Sequence, residues 1–99
     1  MRSATKAKVG KDKAYLAFIH AQPCCVGGKV HSGRIEAAHI GPRGLSQKVP
    51  DRQALPMCNG HHNALHKLGP NAFWALYLLD AKALIALLNK RFDHGERAE

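Results

Sequence analysis

The stretch MCNGHHNALH, residues 57–66, contains one of the chain's three cysteines and three of its seven histidines. Thiolate and imidazole are the side chains that bind zinc and similar divalent metals. Residues four apart on an α-helix lie about 40° apart around the axis, whereas neighbours lie about 100° apart. His62 and His66 therefore share one face and could bind one ion. His61 faces elsewhere and could pair with Cys58, three residues before it, in a second site.

The segment CCVGG supplies further candidate zinc ligands. Its glycines permit a tight turn. Cys24 alone, or Cys24 together with Cys25, would join Cys58 and His61 at a structural zinc. Adjacent cysteines can chelate one ion only with some backbone strain, so a water molecule or His31 is the candidate fourth ligand. A zinc of this kind contributes directly to the folding of a small domain.

The elements that must position these ligands follow from hydrophobic periodicity and turn residues. A helix is predicted over residues 11–21, ended by Gln22-Pro23. The alternation in RIEAAHI predicts a short strand that ends near His39. The glycines and prolines of GPRGLSQKVPD predict an irregular loop. QALPM predicts a second strand, which Pro56 confines to a sheet edge or to the end of a strand.

Helical structure is predicted for the rest of the chain. One helix spans about residues 59–67 and stops at Gly69, and another starts with Pro70 in its first turn. AFWALYLL is almost wholly apolar, so we expect it to be buried. Asp80 can cap a last helix, AKALIALLNKRF, with an apolar stripe of Leu84, Ile85 and Leu88.

The length and the net charge of the chain limit the functions that it can have. A chain of 99 residues fits one domain, which we place at residues 11–94 after a flexible basic N-terminus of residues 1–10. Fifteen Lys and Arg against seven Asp and Glu give a net charge of +8, which favours an anionic polymer such as nucleic acid as the partner. The odd cysteine count argues against a disulfide framework. With no apolar leader or membrane span in the sequence, we expect a cytoplasmic protein.

The order of motifs resembles that of the HNH, or ββα-metal, endonuclease family, and in particular its small phage-type members. The resemblance runs from about Pro23 to His66. It consists of a cysteine turn, a strand that ends in EAAHI, a long loop, LPMC, and CxxHH followed by a histidine one turn later. It implies an α+β fold with a ββα-metal core, here flanked by an N-terminal helix and two C-terminal helices.

The resemblance also implies roles for individual residues. His39 would be the general base, Asp51 would stand where the family has its middle Asn, and His62 and His66 would hold a catalytic divalent ion such as Mg, Mn, Ni or Zn. Arg43 and Lys48, in the loop after His39, could bind neighbouring phosphates.

Three positions depart from the family pattern. Ala38 stands where many members have a second metal ligand immediately before the general base. An ionised Asp51 can accept hydrogen bonds but cannot donate one as Asn does. Gly27 stands where the second cysteine of a CxxC knuckle would be, so Gly27→Cys is expected to raise zinc affinity.

The chemistry is consistent with phosphodiester hydrolysis, which needs an activated water on one side of phosphorus and charge stabilisation at the leaving oxygen on the other. Histidine exchanges protons near neutral pH and suits the first task. We therefore expect a metal-dependent endonuclease acting on DNA. The main alternative is a non-catalytic zinc-containing module that binds nucleic acid on the same scaffold. The sequence does not indicate an oligomeric state.

Overall fold

The computed structural model describes residues 11–41 and 49–96. In these ranges the chain forms a two-stranded antiparallel sheet and four α-helices. Helix α1 spans Lys13–His20, strand β1 spans Ile35–His39 and strand β2 spans Ala54–Cys58. Helices α2, α3 and α4 span Asn59–Leu68, Pro70–Tyr77 and Ala81–Asp93. The predicted α+β class is thus confirmed. The proposed flexible segment 1–10 lies outside the described residues.

Helix α1 begins two residues after the predicted start at residue 11. Asp12 is its N-cap, with the carboxylate Oδ1 accepting a hydrogen bond from the Tyr15 amide at 3.0 Å. This bond satisfies one of the N–H groups that lack a partner in the first turn of a helix. Tyr15, Phe18 and Ile19 are fully buried, which fixes the helix on the core through one face.

The two strands pair in a register that places Ile35 opposite Cys58 and His39 opposite Ala54. Pro56 faces Ala37 in the middle of β2. A proline is tolerated there because β2 has a strand partner on one side only, as predicted for an edge. Between the strands, a 3-10 turn at Asp51–Gln53 leads directly into β2. The sheet therefore places His39 and this turn at one end, and Cys58 at the other.

The helices after the sheet start and stop at the predicted residues. Gly69 ends α2 with a φ of +86°, a conformation that favours glycine, and Pro70 starts α3. Asp80 caps α4, with its Oδ1 accepting from the Ala83 amide at 3.0 Å. The break at residue 69 separates α2 from α3 after ten residues, so the ligand-bearing helix stays short.

The core lies between α1, the sheet and the C-terminal helices. Tyr15, Phe18 and Phe92 form an aromatic group with ring centroids 5.0–5.6 Å apart. These rings join α1 to α4. The other buried core residues are Ile19, Val26, Ala38, Ile40, Leu55, Met57, Leu65, Phe73 and Leu88.

One sequence expectation fails in α3. AFWALYLL was expected to be buried, but only Phe73 is fully buried, and Leu76 and Leu78 are 62% and 90% exposed. The reason is that a helix packed against a single neighbouring surface buries one face only. Leu78 lies just past the end of α3 in the left-handed region, with a φ of +55°.

Among residues 11–41 and 49–96, no single helix is long and apolar enough to cross a membrane. Helices α3 and α4 meet the length and composition of a span only as a pair, and they are bent by 81° at the break between them.

Candidate metal centres and the residues around them

The first candidate centre is a cluster of four side chains, Cys24, His31, Cys58 and His61, which we call the CCHH cluster. Their four ligand atoms all lie within 4.8 Å of one another. Cys58 Sγ is 3.1 Å and Cys24 Sγ is 3.6 Å from His61 Nδ1. Sulfur and nitrogen ligands of a tetrahedral zinc lie about 3.6 Å apart, given Zn–S near ~2.3 Å and Zn–N near ~2.0 Å. The four residues therefore fit a zinc ion.

Two of the ligands are positioned by the junction of β2 and α2. Cys58 is the last residue of β2 and the N-cap of α2, and its Sγ accepts from the His61 amide at 3.4 Å. The Cys58 amide in turn donates to Cys24 Sγ at 3.3 Å. The cysteine turn is anchored to β2, because the Cys25 amide donates to the Pro56 carbonyl at 2.8 Å. The ββα order of the chain thus creates the cluster.

His31 closes the cluster from the loop before β1. Gly28 has a φ of +92° and brings its carbonyl 3.0 Å from His31 Nε2. If Nε2 donates this bond, Nδ1 is the nitrogen available to a metal. The contact with Cys58 and the bond to Gly28 raise the pKa of His31. His31 was one of two open candidates for the fourth ligand, and the structure places it there.

The two thiols of the cluster are unequal. Burial raises the pKa of Cys58, but hydrogen bonds from the His61 and Ser32 backbone and from the His31 and His61 rings lower it to about 6. Burial raises the pKa of Cys24, and the neighbouring Cys58 thiolate raises it further. Cys58 therefore loses its proton readily, whereas ionisation of Cys24 is unfavourable without a cation. A bound cation would stabilise both thiolates.

Cys25 is not part of the CCHH cluster, contrary to its predicted role as a possible zinc ligand. It packs beside the hydrophobic core. Burial, followed by the charge of Cys24, raises its pKa to about 12. A thiol of this kind keeps its proton and is a poor ligand. The strain of chelation by adjacent cysteines is avoided because His31 supplies the fourth donor.

A second group involves the other face of α2. The rings of His62 and His66 have centroids 5.0 Å apart. Two imidazoles on one ion at ordinary ligand angles have centroids about 4.5–5 Å apart, given metal–nitrogen distances near ~2.1 Å. The spacing of the two rings is of this size, so the pair is a candidate site for a divalent ion. Residues 11–41 and 49–96 contain no group of three or more clustered ligands apart from the CCHH cluster.

Glu36 is a residue of this second group that the sequence did not single out. Its Oε1 lies 2.7 Å from His62 Nδ1, and its Oε2 accepts from the Asn59 side-chain amide at 3.0 Å. The Asn59 bond, followed by the His62 bond, lowers the pKa of Glu36. A carboxylate on Nδ1 fixes the tautomer that presents Nε2 to a metal. Glu36 and His62 are 26 residues apart in the chain, so the sequence gave no signal of this contact.

The third group is at the far end of β1. His39 Nε2 lies 2.8 Å from Asp51 Oδ1, and Asp51 Oδ2 accepts from the Asp12 amide at 2.7 Å. Asp51 is buried, and the His39 side chain is one-third exposed. If Asp51 accepts this hydrogen bond, Nε2 carries the proton and Nδ1 of a neutral His39 keeps its lone pair. The sequence named both residues, and the structure brings them into contact.

The remaining predicted positions divide into two kinds. Arg43 and Lys48 lie outside the described residues. Ala38 is fully buried and belongs to the hydrophobic core. The position before His39 therefore contributes packing.

Comparison with known proteins places the chain in a family. No curated protein and no solved structure matches it. Residues 2–95 match a family described as a protein of unknown function, DUF968. Since this match covers nearly the whole chain, the protein belongs to the DUF968 family.

Proposed function

We propose that this protein is a metal-dependent endonuclease that hydrolyses phosphodiester bonds of DNA. The observation that carries the proposal is the 2.8 Å contact of His39 with the buried Asp51. It would hold the imidazole of His39, whose side chain is one-third exposed, at the end of a strand with one nitrogen unprotonated. A histidine held in this way is suited to take a proton from an attacking water.

The His62–His66 pair supplies the second requirement of the reaction. Both imidazoles are neutral ligands, so a divalent ion held there keeps its charge and could stabilise the leaving oxygen of a phosphodiester. Glu36 orients His62, and Asn59 holds Glu36. His62 and His66 thus bind the metal ion, Glu36 and Asn59 orient His62, and His39 takes the proton from the attacking water.

The CCHH cluster has a separate role in this proposal. It ties the loop that precedes β1 to the start of α2, which carries His62 and His66. A zinc ion there would fix the spacing between strand and helix without taking part in hydrolysis. The net charge of +8 supports a nucleic acid as the partner.

A plasmid assay tests the proposal. The purified protein, supplied with Mg²⁺ or Mn²⁺, is expected to nick supercoiled DNA. His39→Ala should lower the nicking rate by roughly 100-fold or more, the usual contribution of a general base. His66→Ala should abolish nicking through loss of metal affinity. His94→Ala is the matched control, because His94 is exposed at the end of α4, and its rate should equal that of the wild type.

The main alternative is a non-catalytic zinc module that binds nucleic acid. Ala38 favours it, because the side chain before His39 then has no atom that could bind a catalytic ion. Salt-dependent binding of DNA without nicking under any divalent metal would support this alternative. Unchanged nicking by a folded His39→Ala variant would remove His39 from the mechanism.

A further inference from the structure

We propose that Arg52 is a positioning residue, which holds the Asp51 carboxylate against His39 by joining three parts of the chain. These parts are the 3-10 turn at Asp51–Gln53, the start of α1 and the end of α4. The inference rests on the proposed function of the His39–Asp51 pair. It extends that function, since Arg52 lies outside every motif in the sequence.

The Arg52 guanidinium lies over two buried aromatic rings that contact each other. Its Cζ is 4.8 Å from the Tyr15 ring centroid and 4.9 Å from the Phe92 ring centroid. Both distances are within the range of a cation–π interaction. Tyr15 belongs to α1 and Phe92 to α4, so the side chain joins these helices.

Three polar contacts with other side chains hold the Arg52 guanidinium in one orientation. Nε donates to Asp12 Oδ2 at 3.2 Å, and a terminal nitrogen lies 2.9 Å from Asp93 Oδ1. The other terminal nitrogen donates to Asn89 Oδ1 at 3.0 Å, and the Asn89 amide donates to the Arg52 carbonyl at 2.8 Å. The side chain and the main chain of Arg52 are therefore both fixed. Only the forked guanidinium can make these three side-chain contacts together, which an ammonium cannot do.

Asp12 links Arg52 to Asp51 through hydrogen bonds. Its side chain is held on one oxygen by the Tyr15 amide and on the other by Arg52. Its own amide donates to Asp51 Oδ2 at 2.7 Å. Asp51 Oδ1 is thereby left to accept from His39. Without Arg52, Asp12 loses one of its two anchors, and the second support of the Asp51 carboxylate weakens.

Arg91 provides a matched control within the same aromatic group. Its Cζ lies 5.9 Å from the Phe18 centroid, and its guanidinium contacts Gln22 and Glu96. The side chains of Arg91 and Arg52 are 38% and 36% exposed. Within the part of the chain that the structure describes, the hydrogen bonds of the Arg91 guanidinium run to Gln22 and Glu96, and not to Asp12 or to the 3-10 turn. A loss of charge and packing at Arg91 should therefore leave the His39–Asp51 pair intact.

The experiment compares Arg52→Gln and Arg52→Lys with Arg91→Gln. The first readout is the ¹⁵N chemical shifts of the His39 ring, which report the nitrogen that carries the proton and need no activity. The wild type and Arg91→Gln should show a protonated Nε2. Arg52→Gln should show mixed tautomers. Arg52→Lys should be intermediate, and it replaces Arg52→Gln if that variant does not fold.

The second readout is the nicking rate. Arg52→Gln should lower kcat by about 10-fold, with KM nearly unchanged, because the residue acts on the base and not on DNA binding. A purely structural role would lower the melting temperature and leave the tautomer as in the wild type, which would overturn the proposal. A wild type that does not nick DNA would reject the endonuclease, and the His39 tautomer would still decide the role of Arg52.

Discussion

At the scale of single residues, the CCHH cluster separates three cysteines that look equivalent in the sequence. Cys58 is buried yet has a pKa of about 6, because N–H groups and two imidazoles stabilise its thiolate. Cys25, next to Cys24 in the chain, has a pKa of about 12. Burial and the charge of Cys24 raise the pKa of Cys25, whereas hydrogen bonds to the sulfur lower the pKa of Cys58.

The Cys58 thiolate predicts how zinc binding depends on pH. Its pKa in the folded protein lies below the ordinary value of 9, so its stabilising effect is present above that ordinary value and is lost as the pH falls through about 6. Zinc must displace a proton from Cys58 below this pH. Zinc affinity, measured by competition with a chelating dye, should therefore fall steeply as the pH drops below about 6.

Neighbouring residues provide the controls. Cys25→Ser should bind zinc as tightly as the wild type, because Cys25 lies outside the cluster. His31→Ala should weaken binding by about 10-fold or more, since loss of a ligand or its support typically costs this much. If Cys25→Ser lost zinc and His31→Ala kept it, the assignment of the fourth ligand would be wrong.

At the scale of elements, α2 presents two ligand sets in different directions. Cys58 caps the helix, His61 faces the cysteine turn, and the next residue, His62, faces Glu36 on β1. The rotation of about 100° per residue causes this division. Helix α3 packs against the CCHH cluster, because Tyr77 lies edge-on to His61 with ring centroids 5.3 Å apart.

The loop that precedes β1 passes close to the start of α2 at Gly33. Gly33 has a φ of +80°, and a Cβ there would lie 2.5 Å from Asn59 Cβ. Asn59 holds Glu36, which orients His62. Gly33→Ala should therefore lower the free energy of unfolding by about 2 kcal/mol, from backbone strain and the clash. The melting temperature, measured by calorimetry, should drop by roughly 10 °C.

Gly27→Ala is the matched control for this substitution. Nothing lies within 4 Å of a Cβ at Gly27, and its φ is not in the left-handed region. Its melting temperature should equal or slightly exceed that of the wild type, because alanine reduces the entropy of the unfolded chain. Equal melting temperatures for the two variants would contradict the close contact between Gly33 and Asn59. The open space also means that Gly27→Cys is sterically tolerated, although His31 already fills the fourth position.

At the scale of the whole molecule, the net charge of +8 would favour association with a polyanion. If DNA is the partner, the logarithm of the binding constant should fall linearly with the logarithm of salt concentration, with a slope of about −0.9 per phosphate contacted. Arg43→Ala and Lys48→Ala should each reduce this slope by about 1, as measured by fluorescence anisotropy. Lys82→Ala, on the exposed face of α4, serves as the control. A slope near zero for the wild type would exclude an electrostatic interface with DNA.

The sequence by itself determined the local elements and most of the ligands. Asp80, Gly69 and Pro70 act through their own backbone and nearest neighbours, so their positions in the chain were sufficient to place helix ends. The spacing Cys58-x-x-His61 fixed one half of the CCHH cluster for the same reason, because three residues span the first turn of a helix.

Only the tertiary structure decided which distant residues complete each group. His31 and not Cys25 joins the CCHH cluster, because the anchoring of Cys25 to Pro56 and the turn at Gly28 set where each side chain lies. Glu36 and Arg52 owe their contacts to strand register and to helix packing across 26 to 40 residues of chain. Contacts over such separations depend on how the helices and strands pack together. Hydrophobic periodicity and residue spacing carry no information about that packing.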